Sequence, residues 1–309
     1  MPIYVVGERN QRVSIQNEAL AVSVTGSVAG AELDVRAGAH QPVVRPTAHR
    51  AVLPQIAGEV TVGVRPVGAA RFGAGTVVHL EIAHDNPADV DPVQVLFDPV
   101  DVSGESDVVL AALRPNGSHI DVGVIAVADV PLSPLGSAAR SSARQLIGRT
   151  PARPDDSVVV ALDVSASMRP WFADGSAAAA TDIVVGVGAA AGIRNVSAVF
   201  VGADVTPVVV GGRNDAGLAD AVRNATPRWS AGARWSRLLP GPRTIACVDI
   251  PTSDVRQRFP IIVLSDDRRF DAAGPRLPSP RQGHDASAEL LAHPQVLDRI
   301  TAALVGVLK

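Results

Sequence analysis

Two kinds of hydrophobic pattern divide the chain. Through residues 1–133, short β-branched runs follow one another, separated by Gly, Pro, Asn and Asp: "RVSIQ", "LAVSVTG", "ELDVRA", "GEVTVGV", "TVVHLEIA", "PVQVLF", "DVVLAAL" and "IDVGVIAVA". Each keeps a period of two or runs apolar over a strand's length, and helical spacing is scarce. That density of short strands predicts an all-β, antiparallel sandwich. In "PLGSAARSSARQLIGR" the spacing changes. Leu135, Ala138, Ala139, Ala143, Leu146 and Ile147 fall on one helical stripe, with Gly148 suited to the exit. Pro151 and Pro154 then discourage helix, so 134–154 reads as a helix and linker between two domains.

From 155 to 309, strand and helix patterns alternate, which favours a parallel sheet flanked by helices, an α/β domain. "SVVVALDV", "VSAVFVG", "TPVVVGG", "TIACVDI" and "PIIVLSD" read as strands. "AAAATDIVVGVGAAAGI" and "DAGLADAVRNA" read as helices, the first weakened by two glycines. Leu291, Val296, Ile300, Leu304 and Leu308 pattern a closing amphipathic helix.

Composition narrows the function classes. Hydrophobic residues make up 47% of the 309 but aromatics only 3%, so the cores are built from Val, Ala, Leu and Ile. A net charge of -3 gives no general drive toward nucleic acid or anionic membrane. Lys309 is the sole lysine, so nearly all the positive charge is arginine. The single cysteine, Cys247, lies in an apolar run and reads as a small buried hydrophobe. Without a leader pattern or a long apolar span, a cytoplasmic location is expected. A nucleophile elbow, a phosphate-binding Walker loop and a CxxC pair are all missing, so the chain reads as non-enzymatic. His79 and His84, five apart on a strand, should face opposite ways.

The candidate chemistry sits in "VVVALDVSASMRP", residues 158–170. Asp163, Ser165 and Ser167 place three oxygen-bearing side chains at alternate positions where an apolar strand runs out. In open α/β sheets, ligands bind beyond the carboxyl ends of the strands. Carboxylate and hydroxyl oxygens are hard ligands suited to Mg²⁺, Ca²⁺ or Mn²⁺. The plain alternative is a polar turn in which a serine caps the next helix.

"VVVALDVSASM" resembles the first motif of the von Willebrand factor A (VWA) family, whose Asp-x-Ser-x-Ser begins a metal-ion-dependent adhesion site. The resemblance spans about residues 155–309 and implies a doubly wound α/β fold. It also implies that Ser165 and Ser167 coordinate a divalent cation, Mg²⁺ first and Ca²⁺ or Mn²⁺ as alternatives, with Asp163 acting through water. A second-loop threonine should contribute; in "PRWSAGARWSRLL" the matching residues are Gly232 and Ala233, leaving Ser230, Thr226 or water to substitute. The distal carboxylate is either Asp249, ending "TIACVD", or Asp266, ending "IIVLSD". Arg228, Trp229, Arg234, Trp235, Arg237 and Arg243 crowd the same segment. Trp229, Arg234 and Trp235 are the candidates for partner binding, because Trp and Arg are enriched in hot spots; ordinary Arg–Trp stacking is the alternative.

The stretch from 12 to 39 is loosely similar to the start of the TerD tellurium-resistance and stress family, with "ELDVRA" matching that family's acidic string through Glu32 and Asp34 while Arg36 replaces a serine. That resemblance implies a β-sandwich that binds Ca²⁺. "HDNPADVD" adds Asp85, Asp89 and Asp91, which an exposed acidic turn explains equally well. Together these expectations describe a non-catalytic cytoplasmic binding protein that captures an acidic partner protein through its cation, in a metal or envelope stress setting. The alternatives are a VWA subunit of a larger enzyme or ATPase machine, and a metal-free scaffold whose site has decayed.

Overall fold

The computed structural model describes residues 2–86, 92–151, 153–210, 217–239 and 243–309. The chain forms two compact units, Met1–Val130 and Pro131–Lys309.

The first unit contains β1 (Ile3–Val6), β2 (Arg12–Gln16), β3 (Leu20–Gly26), β4 (Ala31–Ala37), β5 (Val44–Thr47), β6 (Arg50–Leu53), β7 (Val60–Pro66), β8 (Val77–His84), β9 (Gln94–Phe97), β10 (Val100–Asp101), β11 (Val108–Asn116) and β12 (His119–Val124). One sheet runs β1-β9-β8-β3-β6-β5, with β10 also on β8; the other runs β2-β12-β11-β7-β4. The pairings are antiparallel apart from β1 with β9.

Period-two patterning explains the core. Leu20, Val22 and Val24 of β3 and Val78, Leu80 and Ile82 of β8 point inward from one sheet. Leu33 and Val35 of β4 and Val60, Val62 and Val64 of β7 point inward from the other, into the same core. The alternate positions of β4 are charged and engaged: Arg65 lies 3.0 Å from Glu32, and Arg36 lies 2.6 Å from Asp34 and 2.8 Å from Asp107. "ELDVRA" is therefore one buried face and one solvated, ion-paired face. Asp85 pairs with Arg50 at 3.0 Å, whereas Asp89 and Asp91 lie outside the described residues. His79 is exposed and His84 buried, on opposite faces of β8.

Strands β1, β5, β6 and β10 carry no apolar alternation long enough to read from the sequence. Strand β5 holds Pro46, which a sheet accepts at its edge. Pairing by neighbours, rather than local pattern, makes these segments strands.

The second unit contains α1 (Pro134–Ile147), β13 (Arg153–Asp163), α2 (Arg169–Ala173), α3 (Ser176–Ala190), β14 (Ile193–Val201), β15 (Val205–Pro207), α4 (Leu218–Arg223), β16 (Thr244–Val248), α5 (Ser253–Arg258), β17 (Ile261–Leu264), β18 (Arg276–Leu277), α6 (Ala286–Ala292) and α7 (Pro294–Leu308). Helix α1 packs on α3 and α7, so it is part of this unit rather than a connector, and the supposed linker enters β13 at Arg153. The sheet order is β15-β14-β13-β16-β17-β18, parallel except for β15 at the edge. Of the "TPVVVGG" stretch, only its first residues pair in β15; residues 211–216 lie outside the described residues.

Both faces of this sheet are covered. Val158, Val160 and Leu162 of β13, Ile245 and Cys247 of β16, and Ile262 and Leu264 of β17 face a core shared with α1, α3 and α7. Ala161, Ala246, Val248, Ile261 and Val263 face the other side, with Val255 of α5 and Phe259. From β13 the chain steps to β14 on one side, then returns to β16 on the other. The strand order therefore reverses between β13 and β16, which is where ligands bind in open α/β sheets.

Helix α1 begins at Ser133, whose hydroxyl accepts from the Gly136 N–H at 2.9 Å and donates to the Asp182 carboxylate of α3 at 2.6 Å. Asp182 is buried, and that burial pushes its carboxyl above the usual range while Ser133 pulls it back. Ser133→Ala removes the cap and one donor to a buried carboxylate. It is expected to cost about 2 kcal/mol, read from chemical denaturation. A loss below about 0.5 kcal/mol would show that water replaces both contacts.

The closing helix is interrupted. His293 precedes Pro294 and leaves the helical region, so α6 and α7 are separate. This shift of phase leaves Leu291 exposed and Val296 half-buried; Leu290, Leu297, Ile300, Leu304 and Leu308 carry the core contacts.

Candidate metal centre

Strand β13 ends at Asp163, and its partner β16 ends one residue before Asp249. These two carboxylates therefore flank the strand-order reversal. Asp163 is 7% exposed, and its Oδ1 accepts the Ser165 N–H at 2.6 Å, closing a tight turn directly after the strand. The turn brings the Ser165 and Ser167 hydroxyls within 3.0 Å of each other. Met168 is fully buried in the main core and fixes the turn from below, while Ser167 stays exposed.

The electrostatics of Asp163 bear on the same place. Burial pushes the Asp163 carboxyl above the usual carboxylate range; hydrogen bonds from Ser165 oppose this, and the negative charge of Asp249 pushes it further up. Among the described residues no cationic side chain acts on it. A buried carboxylate facing a second one, with hydroxyls converging beside it, is a donor set that a divalent cation fits.

The second loop is tied to the first by backbone. Ser230 forms a parallel bridge with Ser165: its N–H donates to Val164 O at 3.1 Å, and Ala166 N–H donates to Ser230 O at 2.9 Å. Of the two hydroxyls considered for this loop, Ser230 is held against the motif, whereas Thr226 is exposed. The Ser230 hydroxyl donates to Gly232 O at 3.0 Å. Gly202, after β14, closes the third side: a Cβ there would lie 2.9 Å from Val164 Cγ2 and 3.2 Å from Ser230 Oγ.

Comparison with protein-family models and with curated proteins returned no match. The geometry therefore carries the reading alone.

Asp266 is not part of this cluster. It follows β17, one strand beyond β16 and so about 5 Å further along the sheet. Its Oδ1 accepts the Ser279 N–H at 2.8 Å and its Oδ2 the Ser279 hydroxyl at 2.7 Å. Asp163, Ser165, Ser167 and Asp249 are brought together; Asp266 is occupied elsewhere.

Of the three expected partner-binding residues, Trp235 is a correction. It is 6% exposed, packs against Phe259 with ring centroids 5.9 Å apart, and its carbonyl accepts from Arg258 at 2.7 Å. It belongs to the core on the far face of the sheet. Trp229 is half-buried and meets Phe172 edge-on at 5.3 Å. Arg234 is exposed, its N–H donating to Gly202 O at 2.9 Å. Arg237 and Arg243 are taken up by Asp204 and Asp156. Arg169 was missed by sequence reasoning: its guanidinium lies over the Trp229 ring, 5.5 Å from the centroid. Its position two residues after Ser167 was the available signal.

Proposed function

We propose that the chain is a non-catalytic binding protein whose second unit is a doubly wound, VWA-type domain holding a divalent cation, Mg²⁺ first. The Ser165 and Ser167 hydroxyls would ligate it directly, Asp163 and Asp249 would act directly or through water, and Ser230 is the second-loop hydroxyl held against the motif. A hard cation with an open position takes a carboxylate from a partner protein. The observation that carries this reading is the pair of carboxylates at the strand-order reversal, one of them buried with no cationic side chain acting on it among the described residues, beside two hydroxyls 3.0 Å apart. The two sheets of the first unit are read as a β-sandwich. Its Glu32 and Asp34 are engaged by arginines, and no cation role is proposed for them.

The test is thermal unfolding with Mg²⁺ or Mn²⁺ against chelator, in the wild type and in Asp163→Ala. Metal-dependent stabilisation confined to the wild type supports the reading; identical curves in both conditions leave a metal-free scaffold. Within the site, Asp249→Asn is expected to weaken the metal response severalfold or more, because it removes a ligand charge. Asp266→Asn is expected to leave it in place. Equal losses in the two variants would bring Asp266 back into the coordination set.

A further inference from the structure

We propose that the loop surface at the carboxyl end of the sheet, around Ser167 and Ser230, docks an acidic peptide segment of a partner protein, with Arg169 and Arg228 binding carboxylates on either side of the one that reaches the cation. The proposal rests on the cation reading for that anchoring carboxylate only; the arginine contacts stand independently of it.

Chain geometry sets the spacing. Arg169 lies two residues after Ser167 and Arg228 two residues before Ser230, so neither Cα is more than about 7 Å from that of a site serine. Trp229 follows Arg228 in the chain and meets Arg169. Its ring supports the Arg169 guanidinium at 5.5 Å and is itself braced by Phe172. Stacking of this kind pre-orients the planar fork of donors, so less side-chain freedom is lost when a carboxylate binds.

Charge pairing at this surface points the same way. Arg237, in the same segment as Arg234, is matched by Asp204. Among the described residues no carboxylate pairs with Arg169, Arg228 or Arg234, and all three are exposed. Unpaired arginines around a cation site select an extended anionic ligand over an isolated carboxylate. A single-stranded nucleic acid fits less well, because it needs free aromatic faces for stacking. Arg169 and Phe172 already occupy Trp229, and the chain as a whole carries a charge of -3.

The experiment uses the full chain and a short fluorescein-labelled peptide alternating glutamate and glycine, with its glutamine–glycine counterpart as control. Anisotropy is read at low salt with Mn²⁺ present, and melting curves with and without Mn²⁺ are recorded for the same proteins. The Arg169→Ala/Arg228→Ala double variant is expected to bind the glutamate peptide about tenfold or more weakly, through the loss of charge-assisted hydrogen bonds. It should show the same Mn²⁺-dependent melting shift as the wild type. The Arg169→Lys/Arg228→Lys variant should recover part of the affinity by restoring charge without the fork. Equal binding by wild type and the alanine variant, or equal binding of the glutamine peptide, would overturn the proposal, as would preference for an oligothymidylate. If the wild type shows no Mn²⁺ shift while the alanine variant still loses peptide affinity, the cation reading fails and the arginine surface stands.

Discussion

With Mg²⁺ or Mn²⁺ at about a hundred times its dissociation constant, the second unit is expected to melt about 5–10 °C higher than in chelator, a stabilisation of about 2.7 kcal/mol. The expectation follows from the state of Asp163. Its carboxyl is raised by burial and by Asp249, so the folded chain binds that proton more tightly than the unfolded chain does. The sign is that of any acid raised on folding. Its contribution is most favourable at low pH and is lost as pH rises through the folded value, where the carboxylate forms against burial and the charge of Asp249. A cation reverses this penalty. Asp163→Asn should therefore have two opposite effects. It should raise the melting temperature in chelator, because the amide oxygen can still accept the Ser165 N–H without the charge. It should also abolish the metal response. A variant that melts below the wild type in chelator would show that the carboxylate stabilises the turn on its own account.

The second large effect concerns the two glycines of α3, which respond oppositely to alanine. Helix propensity alone predicts that each Gly→Ala change stabilises the chain by about 1 kcal/mol. At Gly186, however, a Cβ would lie 2.2 Å from the Gly136 carbonyl oxygen and 2.8 Å from Ala139 Cβ of α1. The backbone of α1 blocks it, and no rotamer change relieves the clash. Gly186→Ala is expected to cost about 3 kcal/mol by forcing the helices apart, lowering the melting temperature by about 6–12 °C. At Gly188 the nearest atoms are Val196 Cγ2 at 3.5 Å and Ile193 Cβ at 3.9 Å, which are ordinary contacts. Gly188→Ala should follow propensity and stabilise by up to about 1 kcal/mol. If both variants gained stability, α1 would have to move away from α3 freely.

Much of the candidate site is legible in the sequence. The Asp163, Ser165 and Ser167 string follows a short β-branched apolar run, which reads as a buried strand, and the structure has β13 there. Trp235 was misread because a tryptophan in an arginine-rich stretch looks the same whether it lines a rim or fills a core. Only the position of Phe259, distant in sequence, decides which. Arg169 was overlooked for the converse reason: its ring partner, Trp229, is brought to it by the bridge between Ser165 and Ser230.

By itself, the sequence determined the local periods. These are the alternation that makes "LAVSVTG" and "ELDVRA" two-faced strands, the wholly apolar runs of the parallel sheet, and the stripe of α1. These follow from backbone geometry acting on neighbouring residues, so a short window suffices. Only the tertiary structure separates the surroundings of Asp249 from those of Asp266, because both follow similar apolar strands. Strand order, a property of the whole sheet, sets Asp249 beside Asp163 and sends Asp266 to Ser279. Contacts between residues far apart in the chain are chosen by packing, and packing is not written in any one stretch of it.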